Sequence, residues 1–438
     1  MPDFSAPQFH HSSRGRRLAG GAVIIAAGLA LAACTASSGS HDSSGTGATG
    51  SGTSGSAGAP STSAPATATL AVDLKSDHAV NPTTPIKISV AHGTISKVTM
   101  VNQAGTHVTG ALGAGDHSWH TTEVLGYGKT YTIHATATSA DGKAITKSEK
   151  ITTLEPKRTN SVTMDRMGGY ALDGGQKYGV ALIPVVHFSS PVHDKPAAQK
   201  ALHVTASNPV NGVWSWIDGR DVAYRPKGYF PAHTKITVTA KIYGVNVGHG
   251  EYGASDESVS YRIGRKQTTI ADDNAPQAVD KVRVYNAAGK VLRTMDTSMG
   301  QHGGTESGGQ YINFYTLNGT YTVLEHDNPA IMNSTSYGLS VKDGGYGNIS
   351  VPYSTKISVD GIYLHEYNST QYDQEHGIDA SEGCLNLITP DAVWFYDHSL
   401  VGDPVVVHGK KKAPEIQPWQ GGYWSIPWST WTKNSALS

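Results

Sequence analysis

One thiol and one imidazole stand in a compact, Gly-rich part of the chain and together suggest covalent acyl chemistry. Cys384 sits in the run Ser381-Glu382-Gly383-Cys384-Leu385-Asn386, nineteen residues after His365 in Ile362-Tyr363-Leu364-His365. An imidazole that takes a thiol proton leaves a thiolate able to attack a carbonyl, and a lone cysteine with a histidine elsewhere in its domain is the sequence shape of such a pair. Gly383 leaves room for a substrate carbonyl, and the backbone N–H groups of Gly383 and Cys384 would hold the oxyanion formed by attack. The blander alternative is an inert buried thiol beside a packed strand histidine. His365, His376, Asp379 and Cys384 could also be read as metal ligands, but their spacing forms no H-E-x-x-H helix turn and Gly, Ser and Asp residues intervene, so neither a metal nor another cofactor is expected.

The chain has only one other cysteine, Cys34. Arg14, Arg16 and Arg17 precede an apolar run from Leu18 to Ala30, and Leu31-Ala32-Ala33-Cys34 follows with small residues before the thiol. Residues 1–34 therefore resemble a bacterial lipoprotein signal, cleaved before Cys34 and lipidated on its sulfur, because the apolar run is short for a membrane span. Arg16-Arg17 hints at twin-arginine export, though the flanking residues match poorly. With Cys34 lipidated, the mature chain keeps one free thiol in an oxidising exterior compartment, where an unpaired cysteine is a liability unless its reactivity is used.

The elements that position this chemistry are mostly strands. With 438 residues, a formal net charge of -1 and 34 Lys+Arg against 35 Asp+Glu, the chain has length for several cores and no basic field to hold nucleic acid. Residues 35–68 are almost all Ser, Gly, Thr, Ala and Pro, a composition that cannot offset its ordering entropy, so they read as a disordered tether. Over 69–156, Ile86, Ile88 and Val90, and again Tyr131, Ile133, Ala135 and Ala137, alternate with polar residues, and Asp141-Gly142 marks a hairpin turn. This pattern predicts an immunoglobulin-like sandwich. A second such module spans 157–265, where Trp214 and Trp216 share one face and Val222 and Tyr224 return after Asp218-Gly219; the tryptophans read as cross-strand core packing rather than a sugar platform. From 266 to 409 the composition shifts toward Gly, Asn and Tyr, with strands predicted from Lys281 and Thr320, and Thr389-Pro390-Asp391 reads as the N-cap and first turn of a short helix running through His398.

This last region resembles the L,D-transpeptidases, specifically actinobacterial members with two immunoglobulin-like domains ahead of the catalytic one. The resemblance rests on Val291-Leu292-Arg293-Thr294-Met295 leading to Ser298-Met299-Gly300, on Asn318-Gly319-Thr320-Tyr321, on Met332 through Gly338, on Ile362 through His365, on Ser381 through Asn386, and on Trp394-Phe395-Tyr396-Asp397. Tyr243-Gly244-Val245 and Trp424-Ser425-Ile426-Pro427-Trp428 extend it. Each motif is weak singly, but their shared order is specific. The resemblance implies a mainly β chain whose Cys384 attacks a tetrapeptide stem of peptidoglycan, releases D-Ala, and passes the acyl group to the side-chain amine of a diamino acid on another stem, giving a 3→3 crosslink. It implies that Tyr337 and Tyr346 belong to a lid over the donor site, that Met332 lines the pocket, and that carbapenem β-lactams act as inhibitors. Ser381 and Asn386, counted with Glu382 among the substrate-site residues, are expected chiefly to lock the loop by hydrogen bonds. The segment 410–438 is expected to pack back on the catalytic domain.

Two departures stand out. Glu382 replaces a second histidine usual in the family; beside the thiol it would raise the thiol pKa, whereas paired with His365 it would stabilise a thiolate–imidazolium pair. Glu366 replaces a small residue, a tolerable change if a backbone carbonyl orients the imidazole. The same residues would also serve an L,D-carboxypeptidase or the transfer of stems onto a wall protein, and a non-catalytic wall-binding lipoprotein is the reading from a different class. A lipid anchor and tether would place any of these in the wall layer, on the outer face of the membrane.

Overall fold

The computed structural model describes residues 67–73, 79–273 and 279–437. The lipoprotein signal, Cys34 and all but the last two residues of the expected tether lie outside them. The fold is mainly β, with immunoglobulin-like sheets followed by a catalytic domain, as expected. Among the described residues no helix is long and apolar enough to cross a membrane.

Alternation builds the first sandwich. Strand Lys87–Ala91 and its neighbours form a four-stranded sheet, and Gly93–Asn102, Thr130–Ser139 and Ala144–Thr152 form a three-stranded one. Ile88, Val90, Ile133, Ala135 and Ala137 all point into one core with Trp119. The Asp141-Gly142 turn joins the two long strands, with Gly142 at a φ of 80° that suits a residue without Cβ.

In the second module Trp214 pairs with Tyr224 and Trp216 with Val222 across antiparallel strands, and all four are buried. The tryptophans are core, as read. The two modules meet through tyrosines: Tyr127 Oη donates to the Gly253 carbonyl (2.8 Å), Tyr243 Oη donates to that of Leu125 (2.8 Å), and their rings lie 4.5 Å apart. The second module is bonded in turn to the catalytic domain, where Gly179 and Ala181 donate to the carbonyls of Val401 and Gly402.

The catalytic domain packs two sheets over a shared core. One has five strands, in the order Val291–Asp296, Lys281–Asn286, Gln267–Asp272, Pro404–His408, Gly319–Thr322; the other has four, in the order Glu325–Asp327, Ser354–Lys356, Tyr363–Glu366, Leu385–Leu387. Val282, Tyr321 and Val405 from the first meet Leu364, Leu385 and Leu387 from the second, with Phe395 of the helix Thr389–His398 beneath.

Two local expectations need correction. Thr389 does not cap that helix, which it enters as a first residue after Ile388. Its N–H instead donates to Asn368 Oδ1 (2.9 Å) and its hydroxyl to Glu366 Oε1 (3.2 Å), while Asp391 binds Arg293, because the neighbouring strand end offers partners a capping turn would leave unused. The aromatic tail does not pack on the catalytic domain alone. Ile416 joins the catalytic core, but Trp424, Trp428 and Trp431 cross to the second module, where the indole N–H groups of Trp424 and Trp431 donate to the carbonyls of Ala181 and Val213. Arg225 explains the destination: its buried guanidinium lies 4.9 Å, 5.5 Å and 4.6 Å from the three indole rings, so an aromatic cage and the Ile426 carbonyl compensate a charge that would otherwise be buried unpaired.

Candidate active site

The parallel pairing of Tyr363–Glu366 with Leu385–Leu387 sets Leu364 opposite Leu385 and His365 opposite Asn386. Both leucines point into the core. Side chains alternate along strands, so His365 and the residue before Leu385, Cys384, share the opposite face. Register thus brings two segments far apart in sequence side by side, with Cys384 and His365 on one face of the sheet.

Backbone bonds fix the loop that carries the thiol. Residues 297–301 run beside it: Ser298 and Asn386 exchange amide–carbonyl bonds, Ser381 N–H donates to Met299 O (3.1 Å), and Gln301 N–H donates to Ser381 O (2.8 Å). Ser381 Oγ donates to the Cys384 carbonyl (2.6 Å) and accepts the Gly383 N–H (3.1 Å), while Thr316 Oγ1 donates to the Gly383 carbonyl (2.9 Å). Gly383 adopts a φ of 123°, which requires glycine. Ser381 and Asn386 lock the loop, the former by its side chain and the buried latter by its backbone. The Gly383 amide, expected to hold an oxyanion, is committed to Ser381 in this state, a correction to its expected role.

His365 is buried, and its Nδ1 donates to the Glu366 carbonyl (3.0 Å), which leaves Nε2 as the atom able to accept a proton. Burial holds its pKa below the ordinary imidazole range, so the ring is neutral and competent as a base at neutral pH. Glu366 is tolerated because its carbonyl, not its side chain, orients the ring. Cys384 is half-buried, and its Sγ donates to the Gly361 carbonyl at 3.7 Å. Its thiol is pushed up to about 12, first by burial and further by the charges of Glu382 and Asp360, against the lowering effect of the Tyr363 N–H. The resting pair is therefore a neutral thiol and a neutral imidazole.

The position of Glu382 decides between the two readings of that residue. Glu382 Oε2 accepts a hydrogen bond from Tyr337 Oη at 2.8 Å, and its charge acts on Cys384, not on His365. Glu382 therefore opposes thiolate formation. Tyr337 belongs to a lid borne on a hairpin of Ala330–Met332 and Ile349–Val351. Tyr346, Met332 and Tyr363 pack with Cys384 in one small apolar cluster. Buried Ser334 staples the lid, donating to the carbonyls of Leu339 (2.8 Å) and Tyr346 (2.9 Å) and accepting from Tyr346 N–H (2.8 Å).

Sequence reasoning missed Thr316, the Gly361 carbonyl and the Tyr363 N–H. Only the Asp360-Gly361 turn dipeptide signalled any of them. His376 stays out of the site: it stacks on Tyr372 at 4.0 Å and bonds the Tyr372 carbonyl within the helix Gln371–His376. A cleft of about 460 Å³ lined by Lys177, His233, Arg262 and Arg265 lies between the second module and the catalytic domain and does not include the thiol.

Comparison with known proteins adds independent observations. A bacterial Ig domain family matches residues 77–246, and the L,D-transpeptidase catalytic domain family matches residues 278–407. L,D-transpeptidase 2 of Mycobacterium tuberculosis is 33% identical over 366 residues, covering 82% of this chain and 83% of that one. L,D-transpeptidase 5 of the same species is 32% identical over 362 residues, covering 82% and 74%. Among solved structures, L,D-transpeptidase 3 from Mycobacterium tuberculosis in complex with a faropenem-derived adduct is 27% identical, covers 54% of this chain and 94% of that one, and gives a TM-score of 0.41.

Proposed function

The chain belongs to the L,D-transpeptidase family, and from that premise we propose that it forms 3→3 crosslinks in peptidoglycan through a thioester on Cys384. His365 Nε2 takes the Sγ proton as the sulfur attacks the carbonyl that precedes the terminal D-Ala of a tetrapeptide stem. The tetrahedral oxyanion needs N–H donors. The Cys384 amide is one candidate, and the Gly383 amide becomes a second when it leaves Ser381. The C–N bond breaks, the imidazolium returns its proton to the departing D-Ala amine, and the acyl group stays on sulfur. The side-chain amine of a second stem's diamino acid then attacks the thioester, gives a proton to His365, and expels the thiolate, which recovers that proton. The observation that supports this reading best is a neutral, buried His365, oriented by the Glu366 carbonyl, on the same face as Cys384.

The lid supplies the donor pocket in this reading, with Tyr337 and Tyr346 covering the stem and Met332 beside the thiol. Lipidation of Cys34 and the 35–68 tether would hold the enzyme in the wall layer on the outer face of the membrane. No ATP is available there, and the thioester preserves the energy of the cleaved amide for the new bond.

Product analysis with purified stems tests the proposal. Mass spectrometry is expected to find free D-Ala together with a dimer whose mass equals two stems less one D-Ala. Tripeptide without dimer would make water the acceptor and the chain an L,D-carboxypeptidase, and an unaltered stem would sink the proposal. A carbapenem is expected to leave a covalent adduct on the intact protein that is lost in Cys384→Ala.

A further inference from the structure

Five residues before the nucleophile, Asp379 meets two groups remote in sequence, Asp273 and His302. One donor atom from each lies within 4.8 Å of the others, and His302 Nε2 is 3.2 Å from Asp379 Oδ2. Asp280 also faces this cluster. Its carboxyl stands within hydrogen-bonding range of the Asp379 carboxyl, it is 3% exposed, and its Oδ2 has no hydrogen-bond partner among the described residues. Two carboxylates cannot bond one another without a proton or a cation between them. The Lys410 ammonium compensates part of the charge, pairing with Asp273 Oδ1 at 2.5 Å and lying 3.8 Å from Asp280 Oδ1. Three carboxylates against one ammonium leave two negative charges to balance in a buried place, where an unpaired charge is costly.

We propose that Asp273, Asp379 and His302 form a site for one divalent transition cation beside Asp280, with zinc the best match to two carboxylate oxygens and one imidazole nitrogen. A cation closes the charge balance with no protons added. His302 has a half-exposed side chain and forms the entry from solvent. Tetrahedral zinc ligands stand roughly 3.5 Å apart, so the donor atoms draw inward on binding. The ion would act by position. Asp379 Oδ1 accepts the Met299 N–H (3.0 Å) in the segment that clips the catalytic loop. His302 stacks on Tyr315 (5.4 Å), and the next residue, Thr316, bonds the Gly383 carbonyl. A bound cation would thus stiffen the support of Cys384 from two sides.

The rival is a proton on Asp280 with a protonated His302, which balances the same charge. The test uses the full-length chain with both cysteines removed (Cys34→Ala, Cys384→Ala), so that no thiol competes, stripped with chelator and titrated with Zn²⁺ alone by calorimetry. One equivalent is expected to bind at micromolar or lower concentration and to raise the melting midpoint by several degrees. His302→Gln, at a half-exposed position, is expected to weaken that binding at least ~tenfold while melting as its parent does in chelator. Absence of saturable binding, binding indifferent to His302→Gln, or preference for Ca²⁺ over Zn²⁺ would overturn the proposal. None of these outcomes depends on the acyl chemistry of Cys384.

Discussion

The floor and the lid of the active site are built differently. The floor is held chiefly by backbone, in the His365–Asn386 register, the amide exchange between Ser298 and Asn386 and the positive φ of Gly383, with two side-chain hydroxyls bonding carbonyls of the catalytic loop. The lid is joined to that floor by side chains, above all the Tyr337–Glu382 bond, and its outer surface exposes Ile331, Val341 and Ile349. Backbone geometry tolerates most changes of side chain, Gly383 excepted, and so does the placement of Cys384. A latch made of side chains does not, and the departure of Glu382 from the family pattern falls on the latch.

Changes to the floor should therefore have the largest effects. His365→Ala removes the proposed base, and the rate of carbapenem acylation, read by intact mass, is expected to fall at least ~100-fold. The pH profile of the unaltered protein sharpens this. With His365 taking the proton during attack, acylation rises only through an acid limb that a lowered imidazole sets below the ordinary histidine range, and then stays level until the thiol itself ionises toward about 12. A rate that keeps climbing through alkaline pH would mean attack by free thiolate without His365 as its base, and would overturn that role.

Gly383→Ala comes next. No atom lies closer than 3.6 Å to the Cβ it would add, so the cost is conformational: about 1–3 kcal/mol for a φ of 123°. A fall in melting midpoint of several degrees, with acylation reduced about tenfold, is expected. An unchanged midpoint would mean that the loop relaxes freely and the floor is not rigid.

Glu382→Gln tests the latch from the other side. Removing one charge near the sulfur, worth about 1 kcal/mol at the effective dielectric of a protein surface, lowers the thiol pKa and should speed acylation at pH 7 by roughly threefold to fivefold. The amide can still accept the Tyr337 hydroxyl. Slower acylation would show that the carboxylate's grip on the lid outweighs its cost to the thiol.

The same division explains what could be read in advance. Period-two burial of Ile88, Val90, Ile133 and Ala135, the Asp141-Gly142 turn and the helix after Cys384 follow from local pattern, and all were legible. So was Cys384, one of two cysteines, whereas His365, one of twenty histidines, was singled out by the resemblance. The contacts of Thr316, the 297–301 clip and the Gly361 carbonyl were not legible, because each reaches the catalytic loop only once sheet topology has placed it. Thr389 failed as a cap for a related reason: Asn368, twenty-one residues earlier, reaches its N–H once the strands pair. The tail went to the second module because one buried cation, Arg225, needed three indoles, a demand visible only when both are in place.

The smallest effect is expected at Glu366, and its smallness is informative. The side chain takes a hydrogen bond from Thr389 at the helix start, while the carbonyl of the same residue holds His365 Nδ1. Glu366→Ala deletes the first interaction and keeps the second. It also removes a charge that raises the imidazole pKa, making the base slightly weaker and its neutral fraction slightly larger, two changes that oppose each other in rate. The acylation rate at pH 7 should then stay within about threefold of the parent, with the acid limb displaced toward lower pH. A loss approaching that of His365→Ala would place the orienting role in the carboxylate, and the claim that the floor is held chiefly by backbone would fail at its central residue.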